Sequence, residues 1–313
     1  MNRIGRLLKL SLPFVVSGGL LYYQLSTFDM GGVLAHVKGL VGLVFVPALL
    51  AYGVFSLWIE AFCLIRLFRT SGYTLRLWTA ARIRAASYLI YIINYAIGAA
   101  ALTALLRRRT RVSLGDAGGV VILIALFDMG ILILLSGVSA AFQSSDAPAV
   151  RIGVIAAAGI GLVSGFAILR TPGSLGPLDR IRSLAVFRAA RTTPPGMLLE
   201  LGVLRLVFVT SFMAVGWSAL WAFHIHVPFG EAILNIALTA IVSAIPIAVA
   251  GLGTGQAAFI VLFRGWADEG TLLACSLTLS AGLIALRAGM GFIFSQEYVR
   301  EAIEAVRKES EQA

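Results

Sequence analysis

Apolar segments long enough to cross a bilayer dominate this sequence and restrict its fold more than any other feature. A helix needs about 20 mainly apolar residues to cross the hydrocarbon core. Eight segments meet or approach this length, at roughly 10–28, 40–63, 85–106, 117–139, 149–169, 198–224, 233–263 and 270–294. Only 13% of the 313 residues are charged, against about 25% in soluble domains. The sequence therefore predicts an all-α polytopic membrane protein.

The composition also excludes several classes of function. The net charge of +10 does not indicate a nucleic-acid-binding protein, because the basic residues lie in short segments between apolar runs, as in membrane proteins. Cys63 and Cys275 lie inside apolar runs and form no CxxC pair, so neither a disulfide framework nor a thiolate metal site is predicted. His224 and His226 have no third ligand nearby, and no metal site is predicted there. With no catalytic motif in view, we predict a protein that is not an enzyme and has no cofactor.

The positions of lysine and arginine test how many of the eight segments cross the membrane, because these residues favour the cytoplasmic side of short loops. If all eight segments cross, 12 basic residues lie inside and 11 outside. If segments 85–106 and 233–263 instead re-enter and leave on the same side, 20 lie inside and 3 outside. The second arrangement predicts six spanning helices plus two re-entrant helical hairpins.

The two predicted hairpins occupy matching places in two halves of opposite orientation, about 1–139 and 149–294. Segment 233–263 is interrupted by Pro246 and a glycine-rich run, and segment 85–106 more weakly by Asn94 and Gly98. Interrupted helices at matching positions of inverted repeats are typical of binding sites at the midplane of transporters. We therefore expect a single membrane domain over 1–313, with a charged cytoplasmic tail over 295–313.

Two ionisable residues lie inside predicted spans, where a charge is costly and usually functional. Asp128 is in the middle of its span, and Arg287 lies nearer the cytoplasmic end of the last span. One interpretation is that Arg287 binds an anionic headgroup that Asp128 balances or competes for. The other is a structural ion pair between the two residues.

An acidic residue followed by a basic residue occurs near the inner end of two equivalent spans. Glu60 precedes Arg66, and Glu200 precedes Arg205. Long side chains at this depth can reach the lipid headgroups, so interfacial anchoring is one interpretation. Contact with substrate is the other, and it makes Arg205 a candidate binding residue.

The break in the second hairpin supplies the remaining candidate binding residues. Exposed N–H groups at the start of a half-helix, together with a side-chain amide, can bind a phosphate oxygen. We expect this of Gln256 and of Gly251, Gly253, Thr254 and Gly255 just before it. Asn94 is the corresponding candidate in the first hairpin.

The stretch Ile245-Pro246-Ile247-Ala248-Val249-Ala250-Gly251-Leu252-Gly253-Thr254-Gly255-Gln256 resembles the signature Pro-x-x-x-Gly-Gly-Leu-Gly-x-x-Glu. This signature is typical of the lysylphosphatidylglycerol synthase transmembrane-region family, also called flippase-like or UPF0104 proteins. The first hairpin, from Asn94 to Gly98, resembles a second motif of that family, and Arg287 matches an arginine of its last span. Ala99 and Gln256 stand where the family usually has glutamate. If those carboxylates carry protons or contact amines, the resemblance implies that this chain has lost that coupling or moves a different headgroup.

The resemblance implies a lipid translocase of the bacterial cytoplasmic (inner) membrane, with both termini cytoplasmic. We expect its partners to be membrane lipids with anionic headgroups, either phospholipids or polyprenyl-type lipids, bound between the two hairpins. The alternative is an accessory subunit that binds lipid without transporting it and assists a lipid- or glycan-modifying membrane enzyme.

Overall fold

The computed structural model describes residues 41–92, 95–141, 148–171, 176, 179–180, 183–184, 187–244 and 253–312. Within these residues every regular element is a helix, as the sequence predicts. The predicted first span at 10–28, Asn94 and Gly251 lie outside the described residues.

The helices follow one another with short connections. A π-helical turn over Val41–Phe45 leads directly into the first α-helix. In chain order the α-helices are α1 (Val46–Thr70), α2 (Leu77–Tyr91), α3 (Tyr95–Thr110), α4 (Leu114–Ala141), α5 (Pro148–Arg170), α6 (Arg188–Thr192), α7 (Pro195–Ala222), α8 (Phe229–Ala244), α9 (Thr254–Phe263) and α10 (Glu269–Gln312).

Four helical stretches in the described chain are long and apolar enough to cross a membrane. They are Val41–Thr70, Leu114–Ser139, Pro195–Ala222 and Glu269–Ser295, and they coincide with four of the predicted spans. Large apolar side chains such as Leu43, Leu199 and Val261 are more than 70% exposed on the surface. Because water would not favour such a surface and lipid would, the chain is an integral membrane protein. The predicted total of six crossings stays a prediction.

Each of the two predicted hairpins consists of two short helices that pack against each other, α2 with α3 and α8 with α9. A Cβ atom at Gly98 on α3 would lie 2.7 Å from the Cα atom of Tyr91 on α2, so only glycine permits this approach. The basic stretch over 66–84 separates two of the predicted apolar segments and is expected to form a loop, but most of it is helical, because the first α-helix continues to Thr70 and α2 already begins at Leu77. Arginine is a good helix former, and Arg82 and Arg84 therefore extend the first hairpin rather than end it.

The contacts between helices follow the pairing of the two predicted halves. In the second half α7, the α8–α9 hairpin and α10 correspond to α1, the α2–α3 hairpin and α4. Helix α4 packs on α8 of the other half, α10 packs on α2 of the other half, and α1 packs on α7. The opposite membrane orientation of the halves stays a prediction.

The buried apolar side chains form two clusters, one around each hairpin. One joins α1 and α7 to α8, α9 and the start of α10, and the other joins α1 and α7 to α2, α3 and the start of α4. Phe208 of α7 packs against both clusters. The charged side chains described next lie beside Phe208, where the two clusters meet.

Candidate functional site

A polar cavity of about 120 Å³ lies among the four long helices and the first hairpin. Its lining combines charged, tyrosine and apolar side chains: Tyr52, Ser56, Glu60, Arg84, Tyr88, Tyr91, Tyr95, Asp128, Phe208, Leu286, Arg287 and Met290. A second chamber of about 20 Å³ shares Glu60, Arg84, Tyr91, Tyr95 and Asp128 with it and is also lined by Arg205. A volume of about 10–15 Å³ holds one water molecule, so the chamber is water-sized and the cavity is several times larger.

The charged residues of the site lie near the middle of their helices. Glu60 is ten residues before the end of α1, and Arg205 is ten residues after the start of α7. At about 1.5 Å per residue, each lies about 15 Å from that helix end. Since the hydrocarbon core is about 30 Å thick, helices that cross the membrane place these charges inside the core rather than at its surface.

The first ion pair joins Glu60 of α1 to Arg84 of α2. The Nε atom of Arg84 donates to Glu60 Oε2 at 2.7 Å, and its Nη2 atom donates to Oε1. The hydroxyl of Tyr88 also donates to Oε2. The Arg84 guanidinium lies over the rings of Tyr88 and Tyr91, at 5.2 and 4.7 Å from their centroids. Arg84 is therefore held within the protein by a carboxylate and by two tyrosine rings.

The second ion pair joins Asp128 of α4 to Arg205 of α7 and uses a single carboxylate oxygen. The Nε atom of Arg205 donates to Asp128 Oδ1 at 2.5 Å, and Nη2 lies 2.5 Å from the same oxygen. The guanidinium stacks 3.8 Å from the centroid of the Phe208 ring. Arg205 is fully buried, yet neither Nη1 nor Nη2 has a hydrogen-bond partner among the described residues. This buried guanidinium retains unused donors.

Arg287 of α10 differs from the other two arginines. It lines the larger cavity, and among the described side chains no hydrogen bond or salt bridge engages it. Three arginines and two carboxylates thus line the two chambers. The described part of the site carries a net charge of +1, and Arg287 is the surplus cation.

The structure brings Asp128, Arg205 and Arg287 to one site, but with a different pairing from the one considered from the sequence. The interpretation of Asp128 and Arg287 as an ion pair is wrong, because Asp128 pairs with Arg205. The interpretation of Glu60 and Arg205 as interfacial anchors is also wrong. Both are buried, because each has an oppositely charged partner on a neighbouring helix.

Arg66 and Glu200 pair with each other across α1 and α7. The distances are 2.5 Å from Nε to Oε1 and 2.6 Å from Nη2 to Oε2. Both side chains are about one-third exposed, so this fork-shaped pair ties the two central helices together nearer the surface than the two buried pairs.

The candidate residues of the second hairpin lie elsewhere. Gly253, at φ +90°, precedes α9, which begins at Thr254. The backbone N–H of Gly253 donates to Gln256 Oε1 at 2.6 Å, and Gln256 Nε2 donates to Ser280 Oγ at 2.9 Å. Both ends of this amide are engaged within the protein, and a Cβ atom at Gly255 would lie 2.6 Å from Ser243 Oγ.

The cavity therefore differs in position from the site expected between the two hairpins. The first hairpin lines it, and no described residue of the second hairpin does. Gly255 instead lies at the start of α9 against Ser243 of α8. Whether the second hairpin also binds lipid stays a prediction.

Sequence reasoning missed Arg84 and the four tyrosines of the cavity. Arg84 stands directly before the apolar segment 85–106, a position that is typical of a cytoplasmic loop residue. Arg84, Tyr88 and Tyr91 follow one another at intervals of four and three residues, which places them on one face of a helix. That spacing, together with a mid-span glutamate in need of a partner, was the signal available.

Comparison with known proteins identifies the family of this chain. No curated protein matches it, and no solved structure matches it. The family described as the lysylphosphatidylglycerol synthase TM region matches residues 10–284, which include all the described cavity-lining residues except Leu286, Arg287 and Met290. This match covers most of the sequence and agrees with the membrane helices, so the chain belongs to the lysylphosphatidylglycerol synthase TM region family.

Proposed function

We propose that this protein is a lipid translocase of the flippase type, which moves a lipid with an anionic headgroup across the bacterial cytoplasmic membrane. The role is transfer between leaflets without a chemical reaction on the lipid. The substrate class is an anionic phospholipid or a polyprenyl-type lipid phosphate. A membrane role connected with lipids also follows from the family.

The observation that carries the proposal is the surplus guanidinium in a cavity among helices that are long enough to cross the membrane. Arg84 and Arg205 each face a carboxylate, whereas Arg287 lines the cavity without an ion pair in the described chain. Arg287 is half-buried, and a charge without a partner inside an apolar membrane is costly; an anionic headgroup would compensate it. Arginine is also well suited to phosphate because its donors match two phosphate oxygens.

The remaining lining supports the same function. Tyrosine hydroxyls and arginine donors provide a polar lining for the headgroup, while the exposed apolar surfaces of the long helices face the acyl chains. The exposed arginines within 69–76 and 107–111 would attract anionic lipid from the cytoplasmic leaflet. Each such surface charge contributes about 1 kcal/mol near an anionic membrane.

The test is a transfer assay in phosphatidylcholine vesicles that carry a trace of fluorescent phosphatidylglycerol and the reconstituted protein. We expect the protein to make the inner-leaflet probe accessible to an impermeant quencher. Arg287→Ala should slow this transfer at least about tenfold, as expected for loss of about 1.4 kcal/mol of headgroup binding. The matched control is Arg264→Ala, since Arg264 is 74% exposed and pairs with Glu269 away from the cavity.

Lipids that copurify with the protein supply a second measurement, by mass spectrometry of wild type beside Arg287→Ala. Enrichment of one anionic class in the wild type, lost in the variant, supports the proposal. Transfer no faster than in empty vesicles for phosphatidylglycerol, cardiolipin and a polyprenyl phosphate would contradict translocation. Tight lipid binding without transfer would favour the accessory-subunit alternative.

A further inference from the structure

The two carboxylates of the site are held very differently. Both oxygens of Glu60 are bonded, to two nitrogens of Arg84 and to the Tyr88 hydroxyl, and its side chain is 7% exposed. Asp128 uses only Oδ1 for Arg205, and its side chain is 24% exposed. No hydrogen bond engages Oδ2 in the described chain, and Asp128 lines both chambers. Asp128 is therefore the carboxylate that cavity water can reach.

The groups that face Asp128 come from five helices. They are Arg205 from α7, Glu60, Tyr52 and Cys63 from α1, Arg84, Tyr88 and Tyr91 from α2, Tyr95 from α3 and Arg287 from α10. Helices α5, α6 and α8 also pack on α4, and no charged residue of their described side chains lines either chamber. Since Arg84 is committed to Glu60, the charge of Asp128 depends chiefly on Arg205.

We propose that Asp128 takes up one proton with each anionic lipid, so that the protein is a proton–lipid symporter. This inference rests on the proposed function. In this step a hydronium ion in the cavity water transfers its proton to Asp128 Oδ2: one O–H bond of the hydronium breaks, an O–H bond forms on Oδ2, and a water molecule and a neutral carboxyl remain. Arg205 then loses its counter-charge, and the headgroup phosphate, bound at Arg287 in the adjoining larger cavity, supplies a negative charge in its place.

The charge balance of the site favours this coupling. The five charged side chains sum to +1 when Asp128 is ionised and to +2 when it is protonated. A phosphodiester carries one negative charge, so its binding returns the sum to +1. Binding of a proton and a lipid together thus leaves the net charge of the site unchanged. It avoids the cost of a larger charge in a low-dielectric environment.

The symport is tested by the equilibrium distribution of lipid rather than by its rate. Phosphatidylcholine vesicles with trace fluorescent phosphatidylglycerol receive a pH difference of about one unit, and potassium with valinomycin clamps the membrane potential. Because one proton accompanies one lipid, we expect the lipid to accumulate about tenfold in the leaflet facing the alkaline side, since one pH unit corresponds to a tenfold equilibrium ratio. A pH-sensitive dye inside the vesicles should report one proton per lipid.

Variants at Asp128 test whether this residue carries the proton. Asp128→Asn should abolish both the accumulation and the proton flux, and Asp128→Glu should retain them. Asp116→Asn is the matched control, because Asp116 is on the same helix and pairs with Arg188 at the surface; it should behave as wild type. If Asp128→Asn fails to fold, the proton flux measured with the wild type still tests whether one proton moves with each lipid.

The outcomes separate the two proposals. Wild type that moves no lipid contradicts the proposed function itself. Wild type that equilibrates phosphatidylglycerol with no response to the pH difference leaves the translocase intact and overturns the symport. Accumulation by a folded Asp128→Asn variant equal to that of wild type would also overturn the role of Asp128.

Discussion

Arg84 and Arg287 line the same cavity, yet their surroundings assign them different roles. Arg84 is bonded to Glu60 and covered by two tyrosine rings, so it holds α2 against α1. Arg287 lies in the cavity without a hydrogen bond or salt bridge from the described chain. Substitution of Arg84 should therefore lower the stability of the protein, whereas substitution of Arg287 should affect lipid transfer.

Arg84→Met should lower the free energy of unfolding by about 3–5 kcal/mol, because it leaves the buried Glu60 carboxylate without its counter-charge. Arg287→Met should change it by less than about 1 kcal/mol, as expected where no ion pair is lost. Thermal and denaturant unfolding of the purified variants measures both. The double variant Glu60→Gln/Arg84→Met should recover most of the loss. Equal stability of Arg84→Met and wild type would show that the pair does not hold the helices.

At the residue scale, the sequence identifies charges that lie deep in a span but not their partners. Asp128 and Arg287 are conspicuous because lipid tolerates few charges. The partner of Asp128 depends on how α7 is rotated against α4, which no local pattern records. Arg84 was missed because a charge just before an apolar run is ordinarily counted with the loop.

At the scale of elements, the two hairpins are closed by different means. The first depends on the close approach of Gly98 to Tyr91. The second depends on Gln256, which bonds the backbone of Gly253 and reaches Ser280 on α10. It is also held by Asn235 of α8, whose Nδ2 donates to the Leu262 carbonyl of α9 at 2.9 Å.

Gln256→Ala should destabilise the protein by about 0.5–2 kcal/mol, the usual cost of removing a side chain that caps a helix start. Gln256→Glu should cost at least as much, because Gln256 is 1% exposed and a buried carboxylate without a counter-charge is costly, even though its oxygens can accept from Gly253 and from the Ser280 hydroxyl. Unfolding midpoints of the two variants provide the comparison. If Gln256→Glu keeps its stability but loses lipid transfer, the side chain has a role in binding beyond this tether.

Gly98→Ala should destabilise the first hairpin by about 1–3 kcal/mol, the range for overpacking a tight contact. The new Cβ would meet the backbone of Tyr91, which cannot move as a side-chain tip can. Gly165→Ala on α5 is the control, since nothing lies within 4 Å of its Cβ position. It should be neutral or stabilising by up to about 1 kcal/mol, because alanine favours helix over glycine. Similar effects of both substitutions would contradict the close approach.

The existence of both hairpins was predictable from the sequence, because proline, glycine and asparagine interrupt their apolar runs. The starting point of the first hairpin was not, because Leu77–Arg84 is both helical and basic. The position of the cavity beside only one hairpin was also beyond prediction. It depends on which helices contact across the two halves, α10 with α2 and α4 with α8.

For the whole molecule, the orientation of the hairpins in the membrane is the prediction that decides the topology. Single cysteines replace the exposed residues Arg108 and Arg180 in a variant whose buried Cys63 and Cys275 are replaced by alanine. We expect an impermeant thiol reagent to leave both sites unlabelled in intact cells, since the predicted topology places both inside. Arg264→Cys should label, because it is predicted to lie outside. Labelling at Arg108 and Arg180 would restore a chain that crosses eight times.

Helix α10 runs without interruption from Glu269 to Gln312. Its 44 residues are about 66 Å long, roughly twice the thickness of the hydrocarbon core, so the rod that carries Arg287 projects well beyond the lipid. Because this helix is continuous, a molecule that binds residues 296–312 and rotates them would also rotate the face of α10 that lines the cavity.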